Sequence, residues 1–223
     1  MPRHLQREIE SLKNKIVTMG GEVEDRVYKA TLSLIRRDMA MAEAVIAADH
    51  DIDNMEVEIE EDCLKVLALH QPVAIDLRFI IAVLKINSDL ERVGDLAVNI
   101  AERSVFLNGQ EPMELPFDAV EMSTKVERML TKSIDALVNL DVRLAFKVRS
   151  QDEEVDTINR NMYGRVKEMF IHAQPERVNA LLHAVSVGRH LERIADHACN
   201  IAEDVIYLVN AEIVRHTPEV FEE

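Results

Sequence analysis

Carboxylates spaced four residues apart recur along this chain in a pattern suited to holding a hard cation. Glu91 and Asp95 stand in the stretch Leu90-Glu91-Arg92-Val93-Gly94-Asp95-Leu96-Ala97-Val98-Asn99-Ile100-Ala101-Glu102. Glu192 and Asp196 stand in Leu191-Glu192-Arg193-Ile194-Ala195-Asp196-His197-Ala198-Cys199-Asn200-Ile201-Ala202-Glu203, where nine of the thirteen residues repeat the first stretch. Asp49 and Asp53 form a third pair, Asp152 and Asp156 a fourth. Residues four apart share one side of a helix, and like charges so placed cost a few tenths of a kcal/mol per pair. An acidic stripe kept in two copies therefore wants a cationic partner. With the amides of Asn99 and Asn200 adjacent, the donors are all oxygen, which points to Mg, Mn, Ca or Fe(III) in preference to Zn or Cu. The competing reading is a solvated charged face, partly neutralised by Arg92, Arg193 or Arg103.

The elements that present these pairs read as helices. Leu5, Ile9, Leu12, Ile16, Met19, Val23, Val27, Ala30 and Leu34 step by three or four, which predicts one long helix with a weak point at Gly20-Gly21. Asp38 is the expected N-cap of a second helix running through Val45, Ile52, Met55, Ile59, Leu64 and Leu67 to Gln71-Pro72. A third runs through Leu77, Ile81 and Leu84 into the first repeated stretch. Residues 108–117 hold one Gly and two Pro without apolar period and read as a linker. The fourth helix uses Met122, Val126, Met129, Ala136 and Leu140. The fifth uses Val148, Val155, Ile158, Met162, Val166 and Met169 and closes at Gln174-Pro175. The sixth uses Val187, Leu191, Ile194, Ala198, Ile201, Val205 and Leu208. The expected fold is all-α, with two tandem repeats over residues 1–109 and 110–223, each an up-down three-helix bundle.

Register sharpens the acidic pattern. Asp53 lies nineteen residues before Pro72 and Glu91 nineteen after it; Asp49 and Asp95 are each twenty-three away. A tight antiparallel turn sets those pairs level. In the second half Asp156 and Asp152 lie nineteen and twenty-three before Pro175, and Glu192 and Asp196 seventeen and twenty-one after it. The candidate metal ligands are therefore Asp49, Asp53, Glu91, Asp95 and Asn99 in one half, and Asp152, Asp156, Glu192, Asp196 and Asn200 in the other.

Composition narrows the function. Aromatic residues make up 4% of the chain and Trp is absent, while 48% of residues are apolar, which suits aliphatic helix seams. A net charge of −15 argues against nucleic acid or anionic lipid as partner. Met1-Pro2-Arg3-His4-Leu5 lacks the apolar segment of a signal peptide, and the apolar run Phe79–Leu84 is far too short to span a bilayer, so a cytoplasmic protein without membrane insertion is expected. Cys63 and Cys199 form no CxxC and read as reduced, packed thiols. No nucleophile, general-base pair or Gly-rich phosphate loop stands out, so no catalysis is expected. A di-iron oxidase would need Glu-x-x-His pairs, which the sequence lacks.

Met19-Gly20-Gly21 with Glu24, Met55-Glu56-Val57, Gln71-Pro72-Val73-Ala74-Ile75-Asp76-Leu77-Arg78 and the two repeated stretches together resemble the PhoU family over nearly the whole chain. The resemblance implies a dimeric negative regulator of phosphate uptake and of the phosphate-starvation (Pho) regulon. It further implies an adaptor between the ATPase subunit of the phosphate ABC transporter and a sensor histidine kinase. Some members bind metal clusters through E/D-xxx-D motifs, which fall here on Asp49/Asp53, Glu91/Asp95, Asp152/Asp156 and Glu192/Asp196. The alternative is a metal-binding or metal-storage helical protein that uses the same ligands for cargo.

Overall fold

The computed structural model describes residues 3–172 and 174–214. The outermost ends of the two expected units, residues 1–2 and 215–223, lie outside the described residues. Among those described there is no strand, and the chain runs through α1 (Arg3–Arg36), α2 (Met39–Ala47), α3 (Asp49–His70), α4 (Ala74–Asn108), α5 (Ala119–Asn139), α6 (Val142–His172) and α7 (Pro175–Asn210).

The α1 seam is the one its spacing predicts. Leu5, Leu12, Ile16, Met19, Val23, Val27, Ala30 and Leu34 are all buried, and burying a large aliphatic side chain is worth roughly 1.5–3 kcal/mol. The helix passes Gly20-Gly21 unbroken. A Cβ on Gly20 would meet Ile134 Cγ2 at 3.2 Å, so this glycine lets α1 approach α5 closely. Arg37 turns into the left-handed region (φ 55), with Asp38 N–H donating to Ser33 O at 2.9 Å, the pattern that closes many helix C-termini. Leu140 does the same at the end of α5, where Asp141 N–H donates to Ala136 O. Leu140 is thus an exposed cap and not the seam residue that spacing predicts.

The second expected helix is two. Asp38 caps α2 as anticipated, its Oδ1 accepting from Met41 N–H at 3.0 Å, but α2 stops at Ala47 and α3 begins at Asp49. The physical cause is Arg26, a buried side chain on α1 whose guanidinium donates to the carbonyls of Ala48 and Asp49. Within α3 and α4 the buried faces also sit one step from some predicted positions. Cys63 and Val66 are inside while Leu64 is exposed, and Ile80 and Val83 are inside while Leu77 is exposed.

Two three-helix groups result, α1/α3/α4 with the short α2 against α1 and α4, and α5/α6/α7. They join through α4 against α7 and α1 against α5. Lys85 meets Asp204, Asp89 meets His197, and Phe106 stacks on His183 at 3.8 Å between ring centres, so α4 and α7 run antiparallel. The connection between α4 and α5 is strapped down: Arg37 Nη2 donates to the carbonyls of Leu107, Asn108 and Gln110, and Phe117 is buried.

Candidate metal centre

Each acidic set sits on a helix pair joined by a tight Gln-Pro turn, and the two turns are built differently. Gln71 adopts φ 45 and caps the C-terminus of α3 through its N–H to Leu67 O, whereas Gln174 is extended and precedes Pro175 at the first turn of α7. The close approach of α3 to α4 depends on Gly94, where a Cβ would lie 3.0 Å from Ile52 Cδ1.

In the first half, oxygens of Asp49, Asp53 and Asp95 lie within 4.8 Å of one another. Oxygen ligands to Mn, Mg or Ca stand about 2.0–2.6 Å from the ion, so three oxygens at this separation can straddle one cation. Burial raises the Asp95 carboxyl above its ordinary value, and Asp49 and Asp53 raise it further. Burial likewise raises Glu91, with Asp95 adding to it and Arg92 only partly offsetting the rise. Asp95 thus faces both Asp49 and Asp53, while Glu91 stands outside the trio and is raised by Glu56 ahead of Asp53. Asn99 turns its amide N–H back to the carbonyl of Asp95 at 2.8 Å. His50 Nδ1 is 3.7 Å from Asp53 Oδ2 and exposed.

In the second half, burial and Asp156 lift Asp152 to about 6. Burial also raises Asp196 and Glu192, with Asp152 and Asp156 adding to the first and Asp196 and Asp156 to the second. Among the described residues this half has no trio as tight as Asp49, Asp53 and Asp95. Two of its members have partners of another kind. Arg160, which occupies the position of Val57 in the first half, leans to 3.6 Å from Asp156, and Asn200 Nδ2 turns to Asp89 Oδ1 at 3.3 Å.

Asp152, Asp196 and Asn200 open instead onto a cleft of about 670 Å³ that also takes in Lys85, Ser88, Asp89, Cys199 and Glu203. Spacing alone does not find Asp89, because it sits on α4 and reaches the second set only through the α4/α7 contact. Cys199 is the second such residue: its thiol hydrogen-bonds Asp152, and burial pushes its proton affinity up, so it is held as neutral SH. Cys63 is likewise buried and raised to about 12. Among the described residues Cys63 is buried and Cys199 partly buried, and neither is in a disulfide.

Two stretches of the chain, residues 16–104 and 119–205, match the PhoU domain family. The chain belongs to that family. The PhoU homolog of Caulobacter vibrioides, called a phosphate-specific transport system accessory protein, is 37% identical over 215 residues, spanning 96% of this chain and 93% of the relative. The protein of that name from Escherichia coli K12 is 30% identical over 211 residues, spanning 94% and 86%. The crystal structure of PhoU from Pseudomonas aeruginosa superposes with a TM-score of 0.87 at 36% identity, covering 93% of this chain and 99% of that one. The phosphate transport system regulatory protein PhoU from Streptococcus pneumoniae gives 0.86 at 28% identity, covering 94% and 99%. The PhoU fold, all-α with two repeated units, is thus shared over almost the full length, and the two matched stretches run from α1 into α4 and from α5 into α7, so that each takes in one acidic set.

Proposed function

We propose that this chain is a negative regulator of phosphate uptake and of the phosphate-starvation regulon. In this reading it acts as an adaptor that couples the ATPase subunit of a phosphate ABC transporter to a sensor histidine kinase. The observation that carries the reading is the likeness over nearly the whole chain to relatives named for phosphate transport, and the Asp49, Asp53 and Asp95 trio supports its metal-binding part. No helix among the described residues is long and apolar enough to cross a membrane, which accords with a partner that meets the transporter from one side. A cytoplasmic homodimer without catalytic activity is part of the same reading.

Asp49, Asp53, Glu91 and Asp95 would hold metal in the first half, and Asp152, Asp156, Glu192 and Asp196 in the second, with Asn99 and Asn200 beside them. The ion, Mg, Mn or Fe by its oxygen donors, supplies positive charge that offsets the repulsion within each set. The chain's own part is to hold the carboxylates level across two helices, and Arg26 and Gly94 do this for the first set.

The test is alkaline phosphatase expression in phosphate-rich medium in the source bacterium, with the gene deleted and then restored. Constitutive expression on deletion and repression on restoration support the regulator. Expression that stays off without the gene removes it and favours metal storage.

A further inference from the structure

The seam between α4 and α7 has two ends that are related in sequence and opposite in charge. A shift of 101 residues carries Glu91 to Glu192 and Asp95 to Asp196, and because the two helices run antiparallel, each end of the seam has its equivalent at the other. At the end beside the second acidic set the polar groups close on one another. Lys85 Nζ meets Asp204 Oδ1 at 3.0 Å, and His197 Nδ1 meets Asp89 Oδ1 at 2.7 Å. At the opposite end the same shift puts Arg103 in the place of Asp204, His190 in that of Asp89, Arg189 in that of Ser88 and Leu96 in that of His197. Both carboxylates are lost there.

Three cations gather at that opposite end. Arg103 of α4 is half-buried, Arg189 and Arg193 of α7 are exposed, and none of them has an ion pair or side-chain hydrogen bond among the described residues. Phe106 stacks on His183 there at 3.8 Å, which sets Arg103 beside the stretch of α7 from His183 to His190. Glu192 and Asp196 feel Arg189 and Arg193 respectively but lie beyond ion-pair reach. His190 supplies the second observation. Its Nδ1 is buried without a hydrogen-bond partner among the described residues, as is Nδ1 of His183. Burial, with Arg103, Arg193 and Arg189 pressing on the ring, brings His190 down to about 4, so it stands as a neutral donor. In a chain of 41 acidic and 26 basic residues, cations left unpaired where the equivalent end pairs internally call for an anion from outside.

We propose that this end of the α4/α7 seam binds a phosphate group, as the free dianion or as a small phosphomonoester, with Arg103, Arg189 and Arg193 donating to its oxygens beside His190. Guanidinium forks match a tetrahedral oxyanion two bonds at a time. Three forks offer more donors than a single carboxylate can accept, and a dianion answers their charge. The site stands apart from the carboxylate sets and needs neither the metal reading nor the regulator reading.

Calorimetric titration of the full chain, treated with chelator and held at fixed ionic strength, tests this with inorganic phosphate and with AMP. Removing metal keeps either probe from binding through an ion. Wild type should bind at least one of them. Arg103→Gln and Arg189→Gln should each weaken that binding by about tenfold or more. Arg92→Gln, the equivalent of Arg193 at the internally paired end, should leave it unchanged. The bound probe should also raise the unfolding midpoint of wild type and not that of the two weakened variants, and an unchanged midpoint without probe shows that each variant folds. Tighter binding of phosphate supports the free anion as ligand, and tighter binding of AMP supports the phosphomonoester. Binding of neither probe overturns the proposal. So does binding that Arg103→Gln and Arg189→Gln leave intact, or that Arg92→Gln weakens as much as they do.

Discussion

His197 Nδ1 of α7 lies 2.7 Å from Asp89 Oδ1 of α4, and both side chains are largely enclosed. Asn200 Nδ2, one turn further along α7, reaches the same oxygen at 3.3 Å. This joins the two halves beside the second acidic set, where Lys85 and Asp204 make a parallel link at 3.0 Å. Hydrogen bonds to a charged group contribute about 1.5–3 kcal/mol, so Asp89→Ala should lower the unfolding free energy by about that amount. Urea unfolding of the metal-free protein checks it; a change below about 0.5 kcal/mol would show that the link is idle.

Arg26 sets where the first acidic helix begins. Its guanidinium holds the Ala48 and Asp49 carbonyls at the α2/α3 break. Arg26→Met should therefore cost about 2–3 kcal/mol, because partly buried carbonyls lose charged donors. It should also weaken metal binding at Asp49, Asp53 and Asp95 while sparing Asp152 and Asp196. Thermal unfolding together with metal titration separates the two effects.

Asp152 gives a signed pH effect. Burial, with Asp156 beside it, holds its folded carboxyl at about 6, above the ordinary 3.8. A raised carboxyl means that the charged form costs stability in full above pH 6, and the cost fades as pH falls towards 3.8. In metal-free protein Asp152→Asn should therefore be more stable than wild type at pH 7.5. The gain should shrink through pH 6 and vanish near pH 4. With metal present the order at pH 7.5 should invert, because the variant loses a ligand.

Glu127 provides a control far from either acidic set. Burial raises its carboxyl, and Thr31 Oγ1, donating at 2.6 Å across the α1/α5 contact, only partly offsets this. Glu127→Gln keeps an acceptor for Thr31 and removes the charge. It should stabilise the protein at pH 7.5, with the gain fading as pH falls through the carboxylate range and with metal making no difference. Unfolding midpoints across pH, with and without Mn, check both halves of that statement.

Much of this fold is legible in the sequence because three-and-four spacing writes a helix seam directly, as in α1 from Leu5 to Leu34. The approach of Asp49 and Asp53 to Asp95 is legible for a related reason, since a tight turn converts sequence distance into height, but the same count expects Glu91 opposite Asp53 and the trio leaves Glu91 out. The α2/α3 break was not, since it depends on Arg26, more than twenty residues upstream, whose spacing marks it only as one more charged residue. Leu64 misleads because an exposed leucine at helical spacing looks like a core position until the neighbouring helices fix which face is inside. Asp89 escapes for a third reason. Its role follows from the packing of α4 on α7, and no local pattern on either helix reports that contact.

The most direct test of the central claim, that the paired carboxylates are arranged to hold metal, is the metal content of the purified full chain. Wild type should carry metal, and Asp95→Ala/Asp196→Ala should have lost most of it while keeping its helical content. Equal metal in the two proteins, or none in wild type after incubation with Mn, Mg and Fe in turn, would contradict the account and leave the acidic stripes as solvated surface.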